Sequence, residues 1–401
     1  MLELTEARNR IIAAIQPLGF EPVPLFVAHG RFAAETVTSP IDLPVFDNSA
    51  MDGYAVRGED LALANGDNPI CLPLAGEIAA GGIFPGDLGS GKCVRLFTGA
   101  RLPRGTNAVV MQEEVWIDQQ QAGSVWFSTA IRPWENVRLR GEDVERGAVL
   151  VQKGMRLTVG RINLLAAVGL TNLSVARQPS VGLLATGSEL RESGQPLGPG
   201  EIYESNRTGL SVFLAKLGGK PKIYPLIKDS LADTRAALET AFRECDIVVT
   251  SGGVSVGEFD FVKIAFQSIG GNLDFWKVAI RPGKPFVFGQ WKEKFLFGLP
   301  GNPVSAMVTC LVLVRPAVLR FQGASEAAIP DRWGILAEAL SNCGERRHFM
   351  RVTVNDEGKV FSAGTQASHS LSSLAEADGV VEVPAQTTLQ PGMLARLLTW
   401  D

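Results

Sequence analysis

Short apolar runs alternate with amphipathic stretches across the second half of the chain. The apolar runs at 181–185, 222–227, 246–249, 275–280 and 294–298 predict buried strands. Between them, apolar residues recur at three- and four-residue spacing over about 205–217, 231–243, 260–269 and 304–322, which predicts helices. Strand followed by helix, repeated, is typical of a parallel sheet covered on both faces. We therefore predict a three-layer α/β/α domain over residues 178–324.

Each predicted strand runs into a polar or glycine-rich loop. Right-handed crossovers place the carboxyl ends of parallel strands along one edge of the sheet, where ligands bind in open α/β folds. Loops selected only for tightness have no reason to carry charged side chains together. We expect the loops to converge on one crevice and to bring together Glu189, Asp229, Asp260, Lys277 and Lys284.

The loop at 250–260, with the sequence TSGGVSVGEFD, is the longest of these. Glycines let backbone amides approach an anion, the start of the next helix adds partial positive charge, and a carboxylate can hold Mg²⁺ against phosphate oxygens. The loop alone fits a tight strand-to-helix turn without a ligand equally well. The polar loops that follow the other predicted strands favour a site for a phosphate and a metal ion.

The rest of the chain has a different pattern. Residues 44–145 are rich in Gly and Pro with short apolar runs at 70–75, 93–97, 108–111 and 125–128, which predicts a β-rich domain. Helices predicted over 5–15 and 158–168 flank it, so 1–43 and 146–177 are expected to form one discontinuous module. The tail, 325–401, contains a hairpin-type turn at 355–358 and is predicted to be a small β domain. The fold class is α/β plus β, with several domains.

Composition narrows the functional classes. The chain has 401 residues, which favours two to four domains, and its net charge of −4 without a basic tract excludes a nucleic-acid surface. Its five cysteines form no C-x-x-C pair, which argues against zinc and disulfides and for a reducing compartment, the cytoplasm. We expect no export signal and no run long enough to cross a membrane. The three histidines lie far apart and support no catalytic assignment.

Three polar loops stand out in the β-rich region, at 44–55, 95–100 and 138–143. The first, PVFDNSAMDGYA, follows neither helical nor strand periodicity and packs two carboxylates among small polar groups. Turn formation is the alternative explanation for Asp47, Asn48 and Ser49.

Seven segments together resemble the molybdopterin molybdenumtransferase family of molybdenum cofactor biosynthesis, which includes the E domain of gephyrin. They are residues 47–55, 98–100, 140–143, 186–190, 251–260, 282–285 and 298–306, in colinear order over essentially the whole chain. The resemblance implies an elongated four-domain subunit, usually a homodimer, with a cleft between the α/β domain of one subunit and the β-rich domain of the other. It implies Mg²⁺-dependent insertion of molybdate into adenylylated molybdopterin with release of AMP. The implied partner proteins are molybdopterin adenylyltransferase and molybdoenzyme maturation proteins. Binding to nucleic acid or to a membrane is not expected.

The resemblance also assigns site residues. The implied catalytic residues are Asp52, Thr98, Asp143, Glu189, Asp229 and Asp260, and the implied metal ligands are Glu189, Asp229 and Asp260. The implied substrate-binding residues are Arg138, Ser251, Gly252, Gly253, Ser255, Lys277, Arg281, Pro282, Gly283, Lys284, Pro300, Gly301, Asn302 and Pro303. Simple turn or capping roles are the alternatives for Asp143, for Glu189 and for the proline-containing loops.

The sequence departs from the common family pattern at Ser188, where an acidic residue is frequent, at Phe261, where tyrosine is frequent, and at Arg281, where lysine is frequent. These departures leave open a paralogue that prefers another oxyanion such as tungstate. Two other classes also remain: a nucleotide-processing enzyme that uses the same α/β module, and a dimeric scaffold of the gephyrin type. The full-length match argues against the first, and the retained acids argue against the second.

Overall fold

The chain folds into two compact units. The computed structural model describes residues 1–118, 123–254, 261–325 and 332–400. Unit 1 comprises Met1–Glu35, Lys153–Thr158 and Asn172–Asp401, and unit 2 comprises Thr36–Gln152 and Val159–Thr171. The finer division into four domains stays a prediction.

The described residues form the following helices and strands. The helices are α1 Leu4–Ala14, α2 Val159–Ala167, α3 Asn206–Lys216, α4 Leu231–Glu244, α5 Val262–Ser268, α6 Pro303–Thr309, α7 Arg315–Phe321 and α8 Leu371–Ala375. The strands are β1 Phe20–Pro24, β2 Val37–Thr38, β3 Asn48–Ser49, β4 Gly53–Val56, β5 Ile70–Ile78, β6 Cys93–Leu96, β7 Ala108–Met111, β8 Val115–Trp116, β9 Ser124–Phe127, β10 Val137–Arg138, β11 Val149–Val151, β12 Asn172–Ala176, β13 Ser180–Ala185, β14 Leu190–Arg191, β15 Ile202–Tyr203, β16 Lys220–Ile223, β17 Ile247–Ser251, β18 Asn272–Lys277, β19 Ile280–Arg281, β20 Pro285–Trp291, β21 Lys294–Leu299, β22 Arg332–Leu336, β23 Leu340–Asn342, β24 Arg347–Val354, β25 Lys359–Ser362, β26 Gly379–Val383, β27 Thr387–Leu389 and β28 Leu394–Leu398.

A six-stranded sheet in the order β16-β13-β17-β21-β20-β18 lies at the centre of unit 1. The first four strands are parallel. Strand β20 is antiparallel to both β21 and β18, so β18 runs in the same direction as the first four. The α/β fold class is confirmed, with one strand reversed. The carboxyl ends of the five codirectional strands, and the start of β20, lie on one edge.

Two predicted strands need correction. The run at 222–227 is a strand only as far as Ile223, because Pro225 has no N–H to donate to a ladder and the Tyr224 carbonyl instead accepts a hydrogen bond from Arg207. The run at 275–280 is divided: β18 ends at Lys277, and Ile280 begins β19, which pairs with β24 in a different sheet. Strand β20 is absent from the predicted strands.

Aromatic rings fill the space between the sheet and the helices on one face. Phe275, Phe286, Phe288 and Phe297 contact one another with ring centroids 5.2–6.3 Å apart. They pack with α1 and with the helical stretch from α6 to α7 in one buried cluster. Burial of these rings, together with the aliphatic side chains of the same cluster, stabilises this layer.

One helical stretch, Pro303–Phe321, is long and apolar enough to cross a membrane, which corrects the expectation that no run of this length exists. It consists of α6, a π-helical turn at Cys310–Val314 and α7. Within the structure 78% of its apolar window is buried. Its apolar character is accounted for by its place in the core of unit 1.

The C-terminal strands form a small closed sheet in unit 1. Strands β24, β25, β22, β28 and β26 pair in that order, and β26 pairs back onto β24. The predicted hairpin at 355–358 joins β24 to β25, with Gly358 at a φ of +75°. The predicted C-terminal β domain is thus confirmed as a barrel-like sheet.

Unit 2 contains a six-stranded sheet in the order β7-β4-β6-β5-β9-β8. Strands β5, β6, β7 and β9 coincide closely with the four predicted apolar runs. Strand β4 corrects the expectation that 44–55 has no strand pattern: it pairs with both β6 and β7 and all four of its residues are buried, so it shows no alternation of apolar and polar positions. Tyr54 and Phe127 meet edge to face at the centre of the sheet, with ring centroids 6.2 Å apart. The predicted β-rich region is confirmed.

Buried His348 makes the stability of unit 1 depend on pH. The side chain is 4% exposed, and burial, reinforced by the charges of Arg281, Arg351 and Arg346, lowers its pKa from 6.5 to about 4. The unfolded chain therefore binds a proton more readily than the folded chain between these values. We expect the His348 contribution to be complete above pH 6.5 and to fall by about 3 kcal/mol as the pH drops to 4.

Urea unfolding at pH 7 and pH 4.5 tests this expectation, with His348→Gln as the variant and the exposed His29→Gln as the control. The His348 variant should lose part of the pH dependence, and the His29 variant should retain it. Equal pH dependence in wild type and His348→Gln would contradict the assignment.

Candidate functional site

A cavity of about 770 Å³ opens in unit 1 where the central sheet ends. Its walls come from the loops after β13, β16, β17 and β21, from the start of β20 and of α3, and from the segment before α8. This is the carboxyl edge of the parallel strands, the usual ligand position in open α/β sheets. The fold therefore brings chain segments nearly 200 residues apart to one surface.

Many of the residues singled out from the sequence line this cavity. They are Glu189, Asp229, Ser251, Gly252, Gly253, Pro300, Gly301, Asn302 and Pro303. Lys277 and the segment from Arg281 to Lys284 are absent from the described lining, although Pro285, the next residue, belongs to it. Ser255 and Asp260 lie outside the described residues. Asp52, Thr98, Arg138 and Asp143 belong to unit 2.

The glycine pair after β17 allows two loops to approach closely. Gly252 and Gly253 have φ of +85° and +67°, in the left-handed region. A Cβ on Gly252 would lie 2.7 Å from the Thr186 carbonyl oxygen, and one on Gly253 would lie 2.7 Å from Val262 Cγ2. Only glycine satisfies both demands, so the loop keeps its backbone bare where it meets the cavity.

We expect Gly252→Ala to destabilise unit 1 more than Gly270→Ala does. Gly270 has a similar φ of +87°, but a Cβ added there would meet no atom within 4 Å, so its replacement adds only left-handed strain of about 1–2 kcal/mol. Gly252→Ala adds the contact with Thr186 to the same strain. Guanidinium unfolding of both variants measures the difference, and equal losses would show that the close approach carries no cost.

Three acidic residues line the cavity: Glu204 is paired with Arg207, and Glu189 and Asp229 come from neighbouring loops. Asp229 Oδ2 accepts a hydrogen bond from the backbone N–H of Ser188 at 2.9 Å, and the Asp229 N–H donates to Ser188 Oγ at 3.3 Å. Glu189 directly follows Ser188 in the sequence and lines the same cavity. Oxygen donors of this kind suit Mg²⁺, which binds through one or two carboxylates with substrate phosphates and water. Within the described ranges no three His, Cys, Asp or Glu residues form a metal cluster.

Two residues of the cavity wall, Asn206 and His369, are absent from the predicted site residues. Asn206 donates its side-chain amide to Ser251 Oγ and to the Gly301 carbonyl, each at 2.7 Å. Asn302 donates to Ser368 Oγ at 3.1 Å, which ties the loop after β21 to the segment that carries His369. Asn206 starts a helix, where capping explains an asparagine, and His369 lies far away in sequence. Only the folded chain reveals these contacts.

The predicted residues of unit 2 form local hydrogen bonds. Asp52 Oδ1 accepts from the Thr98 backbone N–H at 2.7 Å and from its hydroxyl at 2.8 Å, and these bonds hold the pKa of Asp52 below its usual value. Asp52 is thus ionised at neutral pH and fixed in place by Thr98. Arg138 pairs with Asn48 across β10 and β3, and the Asp143 N–H donates to the Leu43 carbonyl at 3.0 Å.

Comparison with known proteins covers nearly the whole chain. Residues 2–169 match the family described as "MoeA N-terminal region (domain I and II)", 182–320 the "Probable molybdopterin binding domain" and 334–400 the "MoeA C-terminal region (domain IV)". The molybdopterin molybdenumtransferase of Haemophilus influenzae is 39% identical, over 94% of this chain and 93% of its own length. The chain belongs to the MoeA family of molybdopterin molybdenumtransferases.

Other relatives agree. A molybdopterin molybdenumtransferase 2 of Mycobacterium tuberculosis is 37% identical over 94% of both chains. A crystal structure of a molybdopterin biosynthesis MoeA protein from Pyrococcus horikoshii OT3 superposes with a TM-score of 0.86 and 31% identity, covering 99% of this chain and 100% of that one. The resemblance drawn from the sequence segments is confirmed.

The departures from the common family pattern have defined places in the structure. Ser188 uses its hydroxyl to bridge to the Asp229 loop, where an acidic side chain would repel Asp229. Phe261 precedes α5, and Arg281 lies in β19 opposite His348. Ser188 thus contacts Asp229, a residue of the cavity wall that carries a carboxylate.

Proposed function

We propose that this protein inserts molybdate into adenylylated molybdopterin and releases AMP. The observation that carries the proposal is the cavity at the carboxyl edge of the sheet, where a bare glycine pair and the carboxylates of Glu189 and Asp229 face one space. Glycine backbone suits a phosphate, and paired carboxylates suit the metal that accompanies it. The names of the relatives, molybdopterin molybdenumtransferase, support a transfer of molybdenum to molybdopterin. The adenylylated substrate and the release of AMP are proposed from the sequence resemblance. We infer on this basis a transferase of molybdenum cofactor biosynthesis.

Different residues of the cavity have different proposed roles. Gly252 and Gly253 let the ligand's phosphates approach the backbone, and the Pro300–Pro303 loop forms a rigid wall beside them. Glu189 and Asp229 would hold Mg²⁺, together with Asp260 as proposed from the resemblance. A metal held there would supply positive charge against the phosphate oxygens of the ligand.

Basic residues near the same edge are the proposed ligands of molybdate. Lys277 ends β18, which runs in the same direction as the strands that border the cavity, and Lys284 directly precedes the cavity residue Pro285. Together with Arg281 they offer charge-assisted hydrogen bonds to an oxyanion. The adjoining Pro282 and Gly283 shape this turn, in which a Cβ on Gly283 would lie 2.3 Å from Thr309 Cγ2.

AMP release from adenylylated molybdopterin by the purified protein tests the proposal. The assay contains Mg²⁺ and is run without oxyanion, with molybdate and with tungstate. We expect molybdate to stimulate release, and the tungstate arm measures selectivity. No release under any condition would contradict the proposal and favour a scaffold role.

We further propose a homodimer in which Asp52 and Thr98 of one subunit complete the cavity of the other. The support is the ionised, fixed state of Asp52 and its occurrence in the segment that resembles the family. Mixed dimers of Asp52→Ala and Asp229→Ala subunits should then regain part of the AMP-releasing activity, because one of the two sites in each is intact. Absence of rescue in verified mixed dimers would favour a site built within one subunit. A cytoplasmic location and an adenylyltransferase partner remain predictions.

A further inference from the structure

The side chain of Asn206 joins two loops of the cavity wall. It lies at the first position of α3, and its Nδ2 donates to Ser251 Oγ, after β17, and to the Gly301 carbonyl, after β21, each at 2.7 Å. Both contacts connect segments that approach each other only in the folded chain. Neither is explained by capping of α3, which receives no side-chain hydrogen bond at its start from Ser205.

The chemistry of the partners fixes which way the amide faces. A backbone carbonyl only accepts hydrogen bonds, so the NH₂ group of Asn206, and not its oxygen, faces Gly301. The same NH₂ group also donates a hydrogen bond to Ser251 Oγ. Ser251 is therefore an acceptor towards Asn206, and its own hydroxyl proton is directed elsewhere.

That proton lacks a partner in the part of the chain that the structure describes. Ser251 is 3% exposed and lines the cavity, and its hydroxyl makes only the bond from Asn206 among the described residues. A buried hydroxyl donor without an acceptor is costly. A ligand oxygen in the cavity would satisfy it.

The position of Asn206 is itself enforced by its neighbour. Arg207 turns inward and bonds Glu204 through its backbone N–H at 2.9 Å and its Nε at 2.8 Å, with both side chains almost fully buried. This clamp fixes the first turn of α3, so the adjacent Asn206 is held towards the cavity. The amide does not have to be ordered when a ligand arrives.

We propose that Asn206 is a positioning residue that holds the Ser251 hydroxyl as a hydrogen-bond donor to a phosphate oxygen of the bound ligand. The inference rests on the proposed function, since it names a phosphate recognised by the same cavity. Asn206 acts through Ser251: removing the amide frees the hydroxyl to rotate, and replacing it with a carboxylate reverses the arrangement. In Asn206→Asp the carboxylate accepts the Ser251 proton, repels the Gly301 carbonyl and adds negative charge beside an anion.

A double-mutant cycle tests the proposal with wild type, Asn206→Ala, Ser251→Ala and the double variant. The readout is the dissociation constant for AMP and, separately, for adenylylated molybdopterin, measured by titration calorimetry. We expect each single variant to bind about tenfold more weakly or worse, since a hydrogen bond to a charged group is lost. The double variant should bind about as weakly as Ser251→Ala alone, because Asn206 then has nothing to position. Asn206→Asp should bind more weakly than Asn206→Ala.

The cycle separates positioning from a merely structural role. If Asn206 only braces the Gly301 loop, Asn206→Ala weakens ligand binding by the same factor in the wild type and in Ser251→Ala. Such additive losses would overturn the proposal. Thermal unfolding of each variant confirms that it is folded before titration. If the wild type binds ligand but releases no AMP, the proposed reaction fails while the cycle still decides the role of Asn206. If the wild type binds neither ligand, both proposals are overturned.

Discussion

Asp229→Asn should lower the molybdate-stimulated release of AMP by about two to three orders of magnitude. The substitution preserves shape and leaves an oxygen that can accept the Ser188 N–H now bonded at 2.9 Å, so the loop should keep its place. What disappears is the carboxylate charge of Asp229, which lines the cavity together with Glu189 and with Glu204, the last of them paired with Arg207. Metal-assisted charge stabilisation is worth several kcal/mol, and each 1.36 kcal/mol is a factor of ten in rate. The measurement is the initial rate of AMP release at saturating Mg²⁺.

Asp233→Asn is the matched control. It makes the same change of charge four residues further on, in the exposed first turn of α4. Its activity should stay near that of the wild type. Near-normal activity of Asp229→Asn would remove Asp229 from the site, and an equal loss in both variants would show that the effect is one of long-range charge.

Arg207→Ala should lower the free energy of unfolding of unit 1 by about 3–5 kcal/mol. Removing one partner of a buried ion pair leaves the other charge uncompensated, which is the costly part of the change. Arg207 and Glu204 have side chains 3% and 4% exposed, with Nε and Oε2 2.8 Å apart. The guanidinium also bonds Glu192 at 2.8 Å and the Tyr224 carbonyl. Denaturant unfolding followed by circular dichroism measures the loss.

Arg235→Ala provides the comparison on the surface. Arg235 pairs with Glu239 at 3.0 Å on α4, with side chains 53% and 44% exposed. Exposed pairs of this spacing contribute about 0.3–0.5 kcal/mol. A loss at Arg207 no larger than the loss at Arg235 would show that the clamp at the start of α3 is not a major source of stability. The double variant Arg207→Ala, Glu204→Gln should recover part of the stability, because no buried charge is then left unpaired.

The sequence pattern was sufficient to predict those strands and helices whose own residues determine their structure. Strand β17 is buried at every residue, and the predicted apolar run at 246–249 covers its residues 247–249. Helix α4 has a serine cap at Ser230 and an amphipathic pattern, and the structure places it at Leu231–Glu244, against a prediction of 231–243. Strand β20 escaped because it begins at a proline in a turn-rich segment and is defined by pairing with two distant neighbours.

Some residues of the candidate site could likewise be predicted from the sequence, and others could not. Local composition pointed to Gly252 and Gly253, because two adjacent glycines directly after an apolar run indicate a loop whose backbone can approach a ligand. Asn206 could not be found from sequence, since its role depends on acceptors 45 and 95 residues away. His369 reaches the cavity because the segment between β25 and α8 is bonded, through Ser368, to Asn302 in the loop after β21. Long-range contacts of this kind leave no periodic trace in the chain.

The most direct test of the central claim is to measure, in one reaction, the AMP released and the molybdenum bound to the pterin product. Purified protein is incubated with adenylylated molybdopterin, Mg²⁺ and molybdate, and both products are quantified over time. Our account predicts that they accumulate together in a ratio of about one to one, and that neither accumulates with Asp229→Asn. AMP release without incorporation of molybdenum would contradict it and identify the protein as a hydrolase of the adenylylated pterin.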